Sequence, residues 1–219
     1  MLYLPMHIKI CGLFRNEDID YVNEARPDYI GFVFAESKRR VSPVLAQHLR
    51  FRLANGIIPV GVFVNARIIE IAQMYQNGII SIAQLHGDED DSYITALKKA
   101  SGTKPIPIIK SIIINPNQTK EKSQSSGSSG SWLKKIPASA DYLLIDSGAG
   151  SGKPFNWKQL DSLKFPKPWF LAGGIDTNNA AKAKTLKPFA IDVSSGVETD
   201  GIKNREKILS LVETVKGKN

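Results

Sequence analysis

Eight short runs of apolar, largely β-branched residues recur along the whole chain: His7 to Cys11, Tyr29 to Phe34, Pro59 to Asn65, Ile80 to His86, Pro107 to Ile114, Tyr142 to Asp146, Trp169 to Ala172 and Ala190 to Ser194. Within each run the apolar residues are continuous rather than alternating, which marks strands buried on both faces, as in a parallel sheet. Parallel neighbours need a crossover, normally a helix, and most of the gaps read as one. Asn16 caps a segment with Glu17 and Asp18 in its first turn, running to about Arg26 and stopped by Pro27. Ser42-Pro43 is a cap followed by proline at the first helical position, with Leu45, Leu49 and Leu53 on one face. Ile68, Ile69, Ala72 and Tyr75 mark a third helix ending at Gly78, and Asp90 or Asp91 opens a fourth that closes at Ser101-Gly102. Thr177 to Leu186 gives a seventh, and Lys203 to Val215 an eighth with Ile208, Leu211, Val212 and Val215 in one stripe. The fifth crossover differs, because residues 123–131 read Ser-Gln-Ser-Ser-Gly-Ser-Ser-Gly-Ser, a flexible insert where a helix is due. The strand-helix rhythm resumes unchanged after it, so the insert interrupts one fold instead of linking two. The expected fold class is α/β: a single (β/α)8 TIM barrel over residues 1–219, with a weak or missing fifth helix.

Composition narrows the function. No apolar run approaches the ~20 residues that span a bilayer, so no membrane association is expected. Met1 to Met6 is too short for a signal peptide, and either methionine could be the start. The lone cysteine, Cys11, cannot form an internal disulfide, which suits a reducing, cytoplasmic setting. The balance of 29 Lys and Arg against 21 Asp and Glu leaves +8, but the charges are scattered. Lys98, Lys99, Lys120, Lys122, Lys134, Lys135, Lys203, Lys207, Lys216 and Lys218 read as solvated helix faces and tails, without the aromatic interleaving that stacks bases. The expected partner is a small anion, not nucleic acid. Nothing in the composition separates a monomer from a homodimer.

In barrels of this kind the active site lies at the C-terminal ends of the strands. Cys11, Asn65, Gln84, His86, Asp146 and Ser194 all stand at or just past the end of a run, so folding brings them around one mouth. Taken singly each has an ordinary reading, as a turn former, a loop opener or, for Cys11, a small core residue. Gly173-Gly174 follows the seventh run and Ser194-Ser195-Gly196 the eighth. Loops there commonly bind phosphate through backbone N–H groups, with glycine permitting close approach, so a phosphorylated substrate is expected. Residues 147–153, Ser-Gly-Ala-Gly-Ser-Gly-Lys, are not a nucleotide P-loop. Ser147 replaces its first glycine, and Pro154 stands where a magnesium-binding Ser or Thr is needed. The segment reads instead as a glycine-rich lid carrying a lysine. No Cys/His spacing suggests a metal, and no dinucleotide fingerprint is present, so neither metal nor cofactor is expected.

An ordered set of motifs runs nearly end to end: Lys9-Ile-Cys-Gly12, Gly31-Phe-Val-Phe34 with Ser37-Lys-Arg39 and Val41-Ser-Pro43, Gly61-Val-Phe-Val-Asn65, and Gln84-Leu-His-Gly87. It continues through Leu144-Ile-Asp146, Gly150-Ser-Gly-Lys153 with Phe155 and Trp157, Ala172-Gly-Gly174 and Asp192-Val-Ser-Ser-Gly-Val-Glu198. The set resembles the phosphoribosylanthranilate isomerase family of tryptophan biosynthesis, whose members are (β/α)8 barrels. The resemblance implies an Amadori rearrangement of N-(5-phosphoribosyl)anthranilate, an aminoaldose, to 1-(2-carboxyphenylamino)-1-deoxyribulose 5-phosphate. It implies that Asp146 is the general acid that opens the furanose ring and that Cys11 is the general base that takes the C2 proton. Lys9, two residues before Cys11 on the same strand face, is expected to line the pocket and favour the thiolate. By the same resemblance Arg39, selected over Arg40 by the Ser-Lys-Arg match, holds the anthranilate carboxylate. Gln84 and His86 line the pocket, and Gly173, Gly174, Ser194, Ser195 and Gly196 take the phosphate. Phe14 and Arg15 depart from the family's Thr-containing cap, which moves the first helix start towards Asn16. The alternatives are the histidine-pathway isomerase, whose paired carboxylates Cys11 argues against, and a barrel that binds a phosphorylated ligand without turnover.

Overall fold

The computed structural model describes residues 6–113, 136–146, 157, 160 and 163–217. Eight parallel strands close into a barrel: β1 (His7–Cys11), β2 (Tyr29–Val33), β3 (Ile58–Phe63), β4 (Ile82–Leu85), β5 (Ile108–Ile113), β6 (Tyr142–Asp146), β7 (Trp169–Ala172) and β8 (Ala190–Val193). Each pairs with the next in chain order, and β8 returns to β1 through His7↔Ala190 to Ile10↔Val193. The apolar runs are continuous because both strand faces are buried. Tyr29, Val60, Ile82, Ile109, Leu144, Phe170, Ala172 and Ala190 point inward and form one cluster. Ile8, Ile10, Ile30, Phe32, Leu143, Ile145, Leu171 and Ile191 point outward into a second, shared with the helices. Tyr29 and Tyr142 meet Phe170 edge-on, with ring centroids 5.5 and 5.9 Å apart, and plug the N-terminal end. That leaves the C-terminal end as the open mouth.

Among the described residues six α-helices lie between strands or after the last: α1 (Asn16–Ala25), α2 (Pro43–Arg52), α3 (Ile68–Gln76), α4 (Asp91–Ala100), α5 (Ala180–Lys184) and α6 (Arg205–Lys216). Two start as the sequence suggests: Ser42 Oγ accepts the Leu45 N–H at 3.1 Å, and Asp90 Oδ1 accepts the Tyr93 N–H at 2.8 Å. Others need correction. Asn16 is the first helical residue of α1 and not its cap. The N-cap position falls on Arg15, and buried Asp18 in the first turn reaches back to it, its Oδ2 accepting the Phe14 and Arg15 N–H groups at 3.0 and 3.1 Å. Ile69 is 55% exposed, because the inner stripe of α3 runs through Ile68, Ile71, Ala72 and Tyr75. The seventh predicted helix shrinks to α5, preceded by a turn in which Asp176 Oδ1 accepts the N–H groups of Asn178 and Asn179, and Asn179 Oδ1 the N–H of Asp176. Lys203 precedes the last helix, which Asn204 caps through the Lys207 N–H at 3.0 Å. The expected weak fifth helix, the insert at 123–131 and the glycine-rich lid at 147–153 lie outside the described residues. Among the described residues no helix is long and apolar enough to cross a membrane.

Candidate active site

Cys11 ends β1 facing inward and is 8% exposed. The backbone makes room for it: a Cβ at the paired Gly31 of β2 would lie 2.6 Å from Cys11 Sγ. Gly12 follows at φ +83°, and the stem of Arg39 crosses it so closely that a Cβ there would lie 2.5 Å from Arg39 Cδ. Glycine at both positions therefore lets a thiol and a guanidinium share one rim of the mouth. They open onto a cavity of about 300 Å3 at the C-terminal ends of the strands.

Across that cavity stand Gln84 of β4, His86 just beyond it and Asp146 at the end of β6. His86 Nε2 lies 3.7 Å from Asp146 Oδ2, and Gln84 Nε2 lies 3.3 Å from His86 Nδ1. The loop carrying His86 is anchored from outside the barrel. Buried Lys110 donates to the Gly87 carbonyl at 2.5 Å and to Glu89 Oε2 at 2.9 Å, while Glu89 accepts the N–H groups of Asn65 and Gly87. Asn65, at φ 49°, clamps the same loop by accepting the Asp88 N–H at 2.9 Å and does not line the cavity. Gly173, Gly174, Ser194 and Ser195 form the third side. Gly196 sits behind them, because a Cβ there would lie 1.9 Å from the Ile175 carbonyl oxygen; it lets the β7 and β8 loops touch and does not face the cavity.

Lys9 also differs from expectation. It is fully buried beneath the cavity, its Nζ 3.0 Å from both carboxylate oxygens of Asp192, and does not line the wall. Burial alone would discharge it, but Asp192 and Cys11 beside it reverse that and hold the ammonium above the ordinary lysine range. Burial likewise pushes the Cys11 thiol up. The Lys9 ammonium pulls it down as expected, with help from Lys203, yet burial and Asp192 prevail and the neutral thiol is favoured.

Arg39 reaches the mouth already paired. Its Nε and Nη2 donate to the two oxygens of Glu198 at 2.7 and 2.6 Å. Arg40 turns away, pairs with exposed Glu36 and lines a separate cavity of about 600 Å3 beside α2 and α3. Glu198 and Lys203 are cross-strand neighbours in a small hairpin, β9 (Glu198–Thr199) and β10 (Ile202–Lys203), whose turn residues Asp200 and Gly201 have φ 53° and 79°. Lys203, read from sequence as a solvated lysine, is 2% exposed and donates to Glu198 Oε1 at 2.6 Å. Sequence reasoning gave no role to Asp192, Glu198 or Lys203. An Asp-Gly pair inside a two-residue turn was the available signal for the last two, since it sets the flanking residues opposite each other. Around the thiol, the cations Lys9, Arg39 and Lys203 pair with the carboxylates Asp192 and Glu198. Among the described residues no three His, Cys, Asp or Glu side chains converge as a metal site.

The family model described as N-(5'phosphoribosyl)anthranilate (PRA) isomerase matches residues 8–214. The N-(5'-phosphoribosyl)anthranilate isomerase of Endomicrobium trichonymphae is 42% identical over 215 residues, covering 95% of this chain and 96% of that one. A solved phosphoribosyl anthranilate isomerase in complex with reduced 1-(o-carboxyphenylamino)-1-deoxyribulose 5-phosphate superposes with a TM-score of 0.75 at 28% identity, covering 97% and 99% of the two chains. A structure of monomers generated from the dimeric enzyme of Thermotoga maritima gives 0.75 at 27% identity over the same shares.

Proposed function

The chain belongs to the N-(5'-phosphoribosyl)anthranilate isomerase family, and from that membership we propose how its mouth performs the reaction, with Asp146 as general acid and Cys11 as general base. The protein is an isomerase of tryptophan biosynthesis, acting on a phosphorylated aminoaldose. The observation that carries the assignment of roles is the convergence of Cys11, Asp146, Arg39 and the two glycine- and serine-bearing loops on one cavity.

Both ends of the substrate are anionic, and the site offers a cation or a set of backbone N–H groups to each. Arg39 takes the anthranilate carboxylate on the guanidinium edge that Glu198 leaves open. The loops at Gly173-Gly174 and Ser194-Ser195 take the phosphate, and Gly196 supports them from behind. With both ends fixed, the sugar lies between the thiol and the carboxyl. Asp146 protonates the furanose ring oxygen. The C1–O bond breaks as the anilino nitrogen's lone pair closes an iminium. Cys11 then removes the C2 proton, and the released pair forms the C1–C2 double bond of an enolamine while nitrogen regains its lone pair. The thiol returns a proton to C1 and the C2 hydroxyl proton restores the Asp146 carboxyl, leaving the ketone. Every proton is accounted for by the two side chains, so the reaction needs no cofactor.

The preference of Cys11 for its thiol form is an obstacle only until the ring opens. The iminium adds a positive charge beside sulfur, which together with Lys9 and Lys203 offsets the burial penalty on the thiolate. A base that depends on a reduced thiol suits the cytoplasm. The active species is a monomer or a homodimer, the Thermotoga maritima relative being described as dimeric. The test is steady-state isomerisation of freshly generated N-(5'-phosphoribosyl)anthranilate, followed by loss of anthranilate-type fluorescence. Wild type turns over, and Cys11→Ala and Asp146→Ala each lose orders of magnitude in kcat. A folded but inactive wild type would refute the proposal.

A further inference from the structure

The hairpin β9–β10 places a carboxylate and an ammonium, both nearly out of solvent, against Arg39 in the cavity wall. Glu198 accepts the Nε and Nη2 edge of Arg39 at 2.7 and 2.6 Å and, through the same Oε1, Lys203 Nζ at 2.6 Å. Lys203 Nζ also donates to the Ser194 carbonyl at 2.9 Å, and Ser194 Oγ donates to the Cys11 carbonyl at 3.1 Å. The two cations hold the Glu198 carboxyl below its usual range despite its burial, so it stays ionised at neutral pH. Arg39 by itself is a long side chain, 28% exposed, with several rotamers to lose on binding. Its stem is confined on one side by Gly12, and its head is fixed in plane by the fork to Glu198. A guanidinium with one edge used this way has its remaining N–H groups pre-aimed.

We propose that Glu198, held by Lys203, is a positioning residue for Arg39. It fixes the guanidinium so that its free edge meets the carboxylate end of the substrate. This rests on the reading of Arg39 as the carboxylate's partner. A merely structural ion pair makes a different prediction, because it would be satisfied by any carboxylate and would not distinguish the two ends of the substrate.

The experiment measures dissociation constants of free anthranilate and of inorganic phosphate by calorimetry, together with KM and kcat, for wild type, Arg39→Ala, Glu198→Gln and Glu198→Asp. Glu198→Asp keeps a negative charge for Lys203 but is a methylene too short to hold both nitrogens of Arg39. Both Glu198 variants weaken anthranilate by about tenfold and raise KM, with phosphate affinity and kcat within about threefold of wild type. Anthranilate affinity retained in Glu198→Asp, or phosphate weakened as much as anthranilate, overturns the proposal. Should Glu198→Gln fail to fold with Lys203 left unpaired, the Asp variant alone decides. If Arg39→Ala itself leaves anthranilate binding intact, the carboxylate reading of Arg39 fails, and the positioning role falls with it. Loss in Arg39→Ala without loss in the Glu198 variants removes the positioning role only.

Discussion

Replacing Gly31 by alanine tests the placement of the Cys11 thiol without touching a reacting group. Its φ is not positive, so alanine is tolerated by the backbone, and the consequence is steric. The new Cβ would sit 2.6 Å from Cys11 Sγ and 3.1 Å from Cys11 Cα. Ordinary contact between such atoms is about 3.5–4.0 Å, so the sulfur must move by about 1 Å. It cannot sink into the barrel, because Lys9 and Asp192 fill the layer beneath it, and is pushed towards the cavity. A displacement of that size between base and substrate costs on the order of 10²-fold in rate. Overpacking destabilises by roughly 1–3 kcal/mol, partly offset by the lower entropy of the unfolded alanine chain. The assay pairs kcat on N-(5'-phosphoribosyl)anthranilate with thermal unfolding of the same preparation. A folded Gly31→Ala protein with unchanged kcat would show that the position of Cys11 does not govern the chemistry.

Other consequences are open to measurement. Asp192→Asn strands the fully buried Lys9 ammonium and is expected to destabilise by about 3–5 kcal/mol in urea unfolding; a change below about 1 kcal/mol would mean the pair is not buried as described. Cys11 should react with iodoacetamide more slowly than a free thiol at pH 7.5, the rate rising only above pH 9; rapid labelling at neutral pH would contradict a thiol raised by burial. Glu198 and Asp28 are carboxylates held below their ordinary values of 4.5 and 3.8, so the folded state binds fewer protons than the unfolded. The stability they add at neutral pH should be lost as pH falls below about 4.5. Tyr29 and Tyr93 are pushed by burial from 10 to about 12, so stability should also fall as pH rises through that window. Thermal midpoints that stay flat across either limb would refute the corresponding environment.

All eight strands were legible because a strand buried on both faces leaves little room for polar residues, and the runs in the sequence overlap β1 to β8. Helix ends were less so. The Asp18 carboxylate reaching back to the residues before α1 and the reciprocal Asp176–Asn179 bonds before α5 are side-chain bonds to nearby backbone, and several Asn and Asp residues in each segment could have made them. At the site, the rule that strand ends gather at the mouth pointed to Cys11, Gln84, His86, Asp146 and Ser194, which line one cavity. It could not say that Lys9 would be drawn under the cavity, since its partner Asp192 lies 183 residues away and is reached only through barrel closure. Lys203 was misread because an isolated lysine is usually solvated, and only the turn at Asp200-Gly201 hinted that it faces Glu198.

The central claim, that Cys11 removes the C2 proton after Asp146 opens the ring, is tested most directly with substrate deuterated at C2 of the sugar. The fate of the label is followed during turnover by wild type, Cys11→Ala and Asp146→Ala. The account predicts a primary isotope effect in wild type when proton removal limits the rate, and loss of label transfer by orders of magnitude in both variants. C2 deuterium leaving the substrate at the wild-type rate in Cys11→Ala would contradict it.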